Sequence, residues 1–172
     1  MTLPTHISAF VAGPFLVIGI LLSAPAGAVT PQQLDWCKNM SVGAYSPDLR
    51  IQGCTTAIQS GQWSGKNLAW AFTDRCYGYF VKRDYDSAVG DCNEAIELDP
   101  DSAYPYELCG TAYLGKGDYS RAITDFNKAI ILDPKSASAF YNRGNAKRAS
   151  GDAVGADADI AHAKQLLPGI GQ

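Results

Sequence analysis

The sequence is poor in the residue patterns that enzymes use. It has only two histidines among its 172 residues, and His162 is the only one that follows the first 28 positions. No glycine-rich loop leads into Lys-Ser or Lys-Thr, and neither an HExxH pattern nor a nucleophile elbow occurs. His162 lies on a predicted helix beside Asp159, where a solvent-side structural role is the favoured interpretation over a ligand or base role. We therefore expect no enzymatic activity, no bound metal and no cofactor.

Charged residues are missing from the first 28 positions, which contain no Lys, Arg, Asp or Glu. Residues 7–22 form a largely apolar run, and Ala26 and Ala28 place small residues before a cleavage site. This pattern predicts a signal peptide at residues 1–28 and export to the periplasm or the exterior. Because the segment also lacks Lys and Arg at its start, the alternative is an uncleaved N-terminal anchor. A run of about 16 residues broken by Gly13-Pro14 is short for a membrane span.

The overall composition is that of a globular protein. Hydrophobic residues make up 47% of the chain and charged residues 18%, and the formal net charge is −3. This charge argues weakly against nucleic acid as a partner. We also expect no membrane span after residue 28.

Four sets of residues recur every 34 positions from Asp84 onwards. They are the prolines Pro100, Pro134 and Pro168, the aspartates Asp84, Asp118 and Asp152, and two sets of alanines, Ala88, Ala122 and Ala156, and Ala95, Ala129 and Ala163. Each copy contains two apolar-periodic segments separated by a turn, and the aspartate is placed to cap the second helix. One such hairpin cannot bury its own apolar face, so the copies must stack.

The repeated unit resembles the tetratricopeptide repeat. In residues 103–136, Tyr106 stands where the family prefers Trp, and Cys109 where it prefers Leu. The outright matches in this copy are Gly110, Tyr113, Ala122, Phe126, Ala129 and Pro134. The corresponding residues of the first copy, 69–102, are Phe72, Arg75, Cys76, Tyr79, Ala88, Cys92, Ala95 and Pro100. Those of the third copy, 137–168, are Phe140, Arg143, Gly144, Lys147, Ala156, Ile160, Ala163 and Pro168.

The resemblance implies an all-α, right-handed superhelical solenoid of helix-turn-helix hairpins. Residues 67–168 hold the three repeats, residues 29–66 form a divergent N-terminal hairpin that caps the stack, and residues 169–172 form a tail. Thr30-Pro31 and Ser46-Pro47 both match helix starts in this cap. The predicted helices are 31–45, 47–60, 67–81, 85–98, 102–115, 119–132, 136–149 and 153–166.

In this family one side of each first helix lines the concave face of the solenoid, and residues spaced 3, 4 and 3 apart share that side. Carried over by repeat, the first helix contributes Trp70, Thr73, Tyr77 and Phe80. The next two contribute Tyr104, Glu107, Thr111 and Leu114, and then Ser138, Tyr141, Asn145 and Arg148. Aromatic side chains in such a groove are suited to anchoring a peptide or helix of a partner protein. The alternative is that some of these rings pack against one another or against the N-terminal hairpin.

Some family members hold a partner's C-terminal carboxylate with Lys and Asn residues in this groove. The corresponding positions here are Thr73, Tyr77, Leu108, Ser138 and Asn142, of which only Asn142 could serve. Recognition of a carboxylate tail is therefore disfavoured. Two functions fit the sequence: an adaptor that binds a protein segment in the groove, and a structural subunit of a cell-envelope assembly held through its ends or convex face.

All five cysteines follow the predicted signal peptide, and none has CxxC spacing. Residues equidistant from a hairpin turn lie at the same level, so Cys37 and Cys54 are predicted to form a disulfide. Cys92 is level with both Cys76 and Cys109. Pairing with Cys76 would repeat the first arrangement one hairpin on, and we favour it, which leaves Cys109 as the unpaired core residue.

Overall fold

The computed structural model describes residues 28–38 and 46–172, and the chain in these ranges forms eight α-helices and no β-strand. The helices are α1 (Pro31–Lys38), α2 (Pro47–Gln59), α3 (Ala69–Val81), α4 (Tyr85–Leu98), α5 (Ala103–Lys116), α6 (Tyr119–Leu132), α7 (Ala137–Ala149) and α8 (Ala153–Leu166). One turn of 3₁₀ helix, Gly65–Leu68, precedes α3. The predicted signal peptide, apart from its last residue, and the predicted end of α1 beyond Lys38 lie outside the described residues.

The eight helices form four hairpins that stack in chain order. Within a hairpin the two helices pack on each other, and the second helix of each hairpin packs on the first helix of the next. The first helices also touch along the stack, α1 with α3, α3 with α5, and α5 with α7. This confirms the predicted all-α solenoid, in which the first helices line one face. We call that face the groove.

The helix ends follow from the residues that cap them. Asp84, Asp118 and Asp152 each accept a hydrogen bond from the backbone N–H three residues on, at 3.3, 3.1 and 2.8 Å. Thr30 and Gln33 exchange side-chain to backbone bonds of 2.9 and 3.2 Å, which is a capping box. These bonds satisfy N–H groups that the helix itself leaves unpaired. Capping residues in the sequence therefore determine where α1, α4, α6 and α8 begin.

Small residues fill the interior where helices cross. Ala88, Ala122 and Ala156 are fully buried, as are the second set of alanines at Ala95, Ala129 and Ala163. Phe126 is also fully buried and lies against Gly110, where an added Cβ would come within 2.8 Å of the ring. The close approach of α5 and α6 thus depends on a glycine facing a phenylalanine.

One disulfide lies within a hairpin, and a second joins two neighbouring hairpins. Cys37 bonds to Cys54 with a Cα–Cα distance of 4.8 Å, as predicted, and ties α1 to α2. The second bond joins Cys92 to Cys109, with a Cα–Cα distance of 5.7 Å, and ties α4 to α5.

The favoured pairing of Cys76 with Cys92 is therefore wrong, and Cys76 is a buried free thiol. The physical reason is the direction of residue 109. Its counterparts Arg75 and Arg143 reach the preceding second helix, at Thr55 and Asn127, as well as the second helix of their own hairpin. Residue 109 therefore lies beside α4, where its sulfur meets that of Cys92.

Within the described ranges, no helix has both the length and the apolar character needed to cross a bilayer. Residues 28–38 and 46–172 also bring no three His, Cys, Asp or Glu side chains into an arrangement that could hold a metal ion. The His162 ring packs edge-on against Phe140, with the ring centroids 4.4 Å apart.

Candidate functional site

A cavity of about 290 Å³ opens between α3 and α5 in the groove. Its lining residues are Lys66, Ala69, Trp70, Thr73, Asp74, Asp99, Ser102, Tyr104 and Pro105. Three of them, Trp70, Thr73 and Tyr104, were predicted as groove residues from the sequence. The structure thus brings these three together at one point along the groove.

Trp70 is held in place from the N-terminal side. Its ring meets Trp63 edge to face, with centroids 5.4 Å apart, and the ammonium group of Lys38 lies 4.3 Å from its ring centroid. Trp63 comes from the loop between α2 and α3. The N-terminal hairpin and its connecting loop therefore position one wall of the cavity.

Asp74 is the chemically distinctive residue of the cavity, and it was missed by the sequence analysis. Burial raises the pKa of its carboxyl to about 6, although the positive charges of Arg50 and Lys38 act in the opposite direction. Asp74 follows Trp70 by four residues, so helical spacing alone would have placed it on the groove side. Its raised pKa follows from burial, which spacing does not reveal.

Tyr104 forms the opposite wall and is 37% exposed. Burial raises the pKa of its hydroxyl to about 12, and the negative charges of Asp74 and Glu107 contribute in the same direction. At neutral pH the hydroxyl therefore keeps its proton and can donate a hydrogen bond. The ring offers an apolar surface beside that donor.

Several other predicted groove residues are partly engaged in packing. Tyr77 and Phe80 pack against the buried cluster that contains Cys76, Cys92 and Cys109, and Phe80 also meets Tyr85 at a centroid distance of 6.1 Å. Leu114 packs against the cluster around Phe126. These rings and side chains serve the fold as well as the groove.

The polar groove positions mostly bond within the protein. The Thr73 and Thr111 hydroxyls donate to the carbonyl oxygens of Ala69 and Glu107, at 2.8 and 2.7 Å. The carboxylate of Glu107 accepts a bond from the Ser136 hydroxyl at 2.9 Å, which links α5 to the start of α7.

At α7 the predicted groove residues are engaged in contacts within the protein. Tyr141 is half-buried, and its ring lies so close to Gly171 that an added Cβ there would come within 2.7 Å of it. Asn145 is half-buried, and Arg148 donates to the carboxylate of Asp157 at 2.5 Å. The open, aromatic part of the groove is therefore the part between α3 and α5.

A family model described as TPR repeat matches residues 110–151. Among solved structures, the second TPR domain of Spaghetti (RPAP3), bound to the HSP90 peptide SRMEEVD, is similar with 30% identity and a TM-score of 0.58. The match covers 59% of this chain and 94% of that one. The second TPR domain of human RPAP3, in complex with the HSP70 peptide SGPTIEEVD, shows 31% identity and a TM-score of 0.55, with coverages of 57% and 82%.

A crystal structure of MamA protein is similar over a longer stretch, 82% of this chain and 74% of that one, with a TM-score of 0.69 and 20% identity. At that identity the likeness concerns the fold alone. No curated protein sequence matches the chain.

Proposed function

The chain belongs to the tetratricopeptide-repeat family, and on that premise we propose that it is a non-catalytic interaction module that binds a segment of a partner protein in its groove. The observation that carries this proposal is the cavity between α3 and α5. It combines an exposed aromatic ring at Tyr104, a second ring at Trp70 and a polar group at Asp74. Aromatic anchors beside a few polar groups are typical of protein-binding hot spots.

The bound segment differs in chemistry from the peptides seen in the RPAP3 structures. Those peptides end in Glu-Glu-Val-Asp. In this chain Asp74 and Glu107 lie on the groove side, and Leu108 is buried at a position where a carboxylate-binding side chain would be needed. Like charges repel in a partly buried site. The proposed ligand is therefore a peptide or helix held by apolar contacts rather than by an acidic tail.

We further propose that the protein acts after export, in the periplasm or outside the cell. The uncharged, apolar residues 1–28 support this, and so do the two disulfides, which persist in oxidising compartments. An uncleaved anchor would leave the same domain on the same side of the membrane. The mass of the mature protein distinguishes these two forms.

Site-specific photocrosslinking tests the groove. A photoreactive phenylalanine analogue at Tyr104 should capture a partner in the native compartment, whereas the same analogue at Tyr119, at the start of α6, should not. The captured segment is then identified and synthesised as a peptide. Tyr104→Ala should weaken the binding of this peptide by about 2 kcal/mol, the size expected for an aromatic anchor. Tyr119→Ala is the matched control and should bind normally.

The alternative function is a structural subunit held through the ends or the convex face. Exposed apolar side chains occur on α6 and α8, which are second helices of their hairpins, namely Ile131 at 71% and Val154 at 83% exposure. Crosslinks that form from residues 131 and 154 but not from residue 104 would support the alternative and contradict binding in the groove.

A further inference from the structure

Two of the three repeats contain the same guanidinium-binding arrangement. In the first repeat, Arg75 donates through Nε and Nη2 to the two carboxylate oxygens of Asp91, at 2.7 and 2.8 Å. Its Nη1 donates to Thr55 Oγ1 at 3.1 Å, and its guanidinium carbon lies 5.5 Å from the centroid of the Phe72 ring. The three guanidinium nitrogens of Arg75 therefore all donate hydrogen bonds, and its planar group lies near an aromatic ring.

The third repeat reproduces this arrangement with an asparagine amide in place of the threonine hydroxyl, and its aspartate also pairs with Lys147 at 2.9 Å. Arg143 donates through Nε and Nη2 to the carboxylate of Asp159, at 2.8 and 2.6 Å, and through Nη1 to Asn127 Oδ1 at 2.7 Å. Its guanidinium carbon lies 5.3 Å from the centroid of the Phe140 ring. The recurrence at a distance of two repeats shows that the arrangement belongs to the repeat geometry.

The middle repeat keeps the acceptors and lacks the arginine. Asp125, Asn93 and Tyr106 occupy the positions of the aspartate, the amide and the aromatic ring, whereas the arginine position holds Cys109. Cys109 forms its disulfide with Cys92, and Asn93 Oδ1 lies 3.6 Å from the Cys109 sulfur.

Asp125 has no ion pair or hydrogen bond with any residue in ranges 28–38 and 46–172. Two cations are near. Arg121 acts on Asp125 electrostatically but bonds to Asp118, and the Lys128 ammonium group lies 5.8 Å from the Tyr106 ring centroid. Neither cation takes the place of the missing guanidinium.

Solvent reaches this position. The side chains of Arg75 and Arg143 keep 17% and 16% of their accessible surface, so the guanidinium position lies at the edge of the fold. In the middle repeat Asn93 is exposed, and Asp125 and Tyr106 are half-buried.

We propose that Asp125, Asn93 and Tyr106 form a binding site for an arginine side chain of a partner protein, in the position that Arg75 and Arg143 fill from within. Arginine fits better than lysine because its planar fork pairs with both carboxylate oxygens at once. The site lies between α4, α5 and α6 and does not include the cavity residues of the groove. It is therefore a second contact surface, independent of the proposed groove function.

The probe is the blocked tripeptide acetyl-Gly-Arg-Gly-amide, added to the oxidised protein with its aspartate carboxyl groups labelled with ¹³C. The chemical shift of the Asp125 carboxyl should change saturably as the peptide is added. The pKa of Asp125 should fall by about one unit when the arginine is bound. The matched acetyl-Gly-Lys-Gly-amide should produce a much smaller shift. An equal response to the two peptides would overturn the assignment, as would tighter binding of free arginine than of the arginine peptide.

A variant that carries its own arginine at residue 109 supplies the decisive control. The double variant Cys92→Ala/Cys109→Arg should lose the response, because its own arginine occupies Asp125. The variant Cys92→Ala/Cys109→Ala lacks the same disulfide but leaves the site open, and it should keep the response. If the arginine variant fails to fold by circular dichroism, Asp125→Asn in the oxidised protein replaces it, with the Asn93 side-chain amide as the reporter. A response that persists in the arginine variant or in Asp125→Asn would refute the site.

Discussion

Asp125 shows how a single missing partner changes the behaviour of a carboxylate. Its counterpart in the third repeat, Asp159, faces Arg143 and Lys147, and the hydrogen bonds from these cations lower the pKa of Asp159 despite its burial. For Asp125, burial dominates and raises the pKa of the carboxyl to about 6, against a weaker opposing effect of Arg121. The pKa of the aspartate at this repeat position is thus raised in the middle repeat and lowered in the third.

This raised pKa makes Asp125 a destabilising group at neutral pH. Because the folded state holds the proton more tightly than the unfolded state, the free energy of unfolding falls as the pH rises from about 4 to about 6. We expect Asp125→Asn to increase the free energy of unfolding by about 1 kcal/mol at pH 7.5, a figure reduced for partial solvent screening. Below pH 4 the gain should vanish. Urea denaturation at the two pH values measures it.

Asp101→Asn is the control, because Asp101 is exposed on the turn between α4 and α5. A stabilisation by Asp125→Asn that is equal at pH 3.5 and pH 7.5 would show that the carboxylate charge is not the cause.

For single residues, the sequence predicts which side chains lie together better than it predicts their pKa values. Trp70, Thr73 and Tyr104 could be placed together because helical spacing and the repeat register suffice for that. The raised pKa values of Asp74 and Asp125 could not be predicted, because they depend on burial and on distances to particular cations. The sequence shows that Cys109 shares a register with Arg75 and Arg143, but the contacts that give the direction of those side chains come from the structure.

Helix ends were predicted closely because local chemistry fixes them. The predicted spans 85–98, 119–132 and 153–166 are reproduced by the structure. Each begins after an aspartate that accepts a bond from the helix, and each is followed by a proline two residues beyond its end. The start of α3 was less well predicted, because a separate 3₁₀ turn occupies residues 65–68 before the helix.

Glycine serves two different roles within these helices, and a pair of alanine substitutions separates them. An added Cβ at Gly110 would come within 2.8 Å of the buried Phe126 ring, whereas one at Gly90 would meet no atom within 4 Å. We expect Gly110→Ala to lower the free energy of unfolding by about 1–3 kcal/mol through overpacking between α5 and α6. Gly90→Ala should raise it by about 0.5–1 kcal/mol, because alanine favours the helix.

Thermal or chemical denaturation of both variants measures the pair. Equal effects of the two substitutions would show that helix propensity, and not the contact with Phe126, determines the outcome at residue 110.

The unpaired cysteine belongs to the helix interface rather than to the surface. Cys76 is fully buried beside Cys92 and Cys109, and burial raises the pKa of its thiol well above its usual range. Because the thiolate is the reactive form, we expect iodoacetamide to leave the native oxidised protein unmodified and to label Cys76 alone after denaturation. Non-reducing peptide mapping after denaturation in iodoacetamide identifies the labelled residue. Label on Cys109 instead would mean that the second disulfide is Cys76–Cys92.

For the molecule as a whole, the ties between hairpins differ along the stack. The first hairpin is tied internally by Cys37–Cys54 and joined to the second by an ion pair of 2.5 Å between Lys82 and Asp48. The Cys92–Cys109 disulfide joins the second hairpin to the third. The third and fourth hairpins are joined without a disulfide, in part through the bond from Arg143 to Asn127. The open part of the groove lies between the two hairpins that the second disulfide connects.

Reduction should therefore weaken the stack locally rather than uniformly. In a solenoid each hairpin packs only on its neighbours, so the loss of one tie acts mainly at the two hairpins it joins. Each bond closes a loop of sequence separation 17, which predicts a stabilisation of about 3 kcal/mol that disappears when the bond is reduced. The first and fourth hairpins each have a neighbour on one side only among the described helices, but only the first loses an internal disulfide. We expect α1 and α2 to lose amide protection first, α4 and α5 next, and α7 and α8 least.

Hydrogen exchange followed by mass spectrometry, with and without a phosphine reductant, measures this order. The Cys76→Ala variant is the control, because it removes the free thiol and keeps both disulfides, and it should show the same order. A uniform loss of protection over all four hairpins would mean that the stack unfolds as one cooperative unit. An earlier loss in α7 and α8 than in α1 and α2 would contradict the assignment of the disulfides as the ties that hold the N-terminal half together.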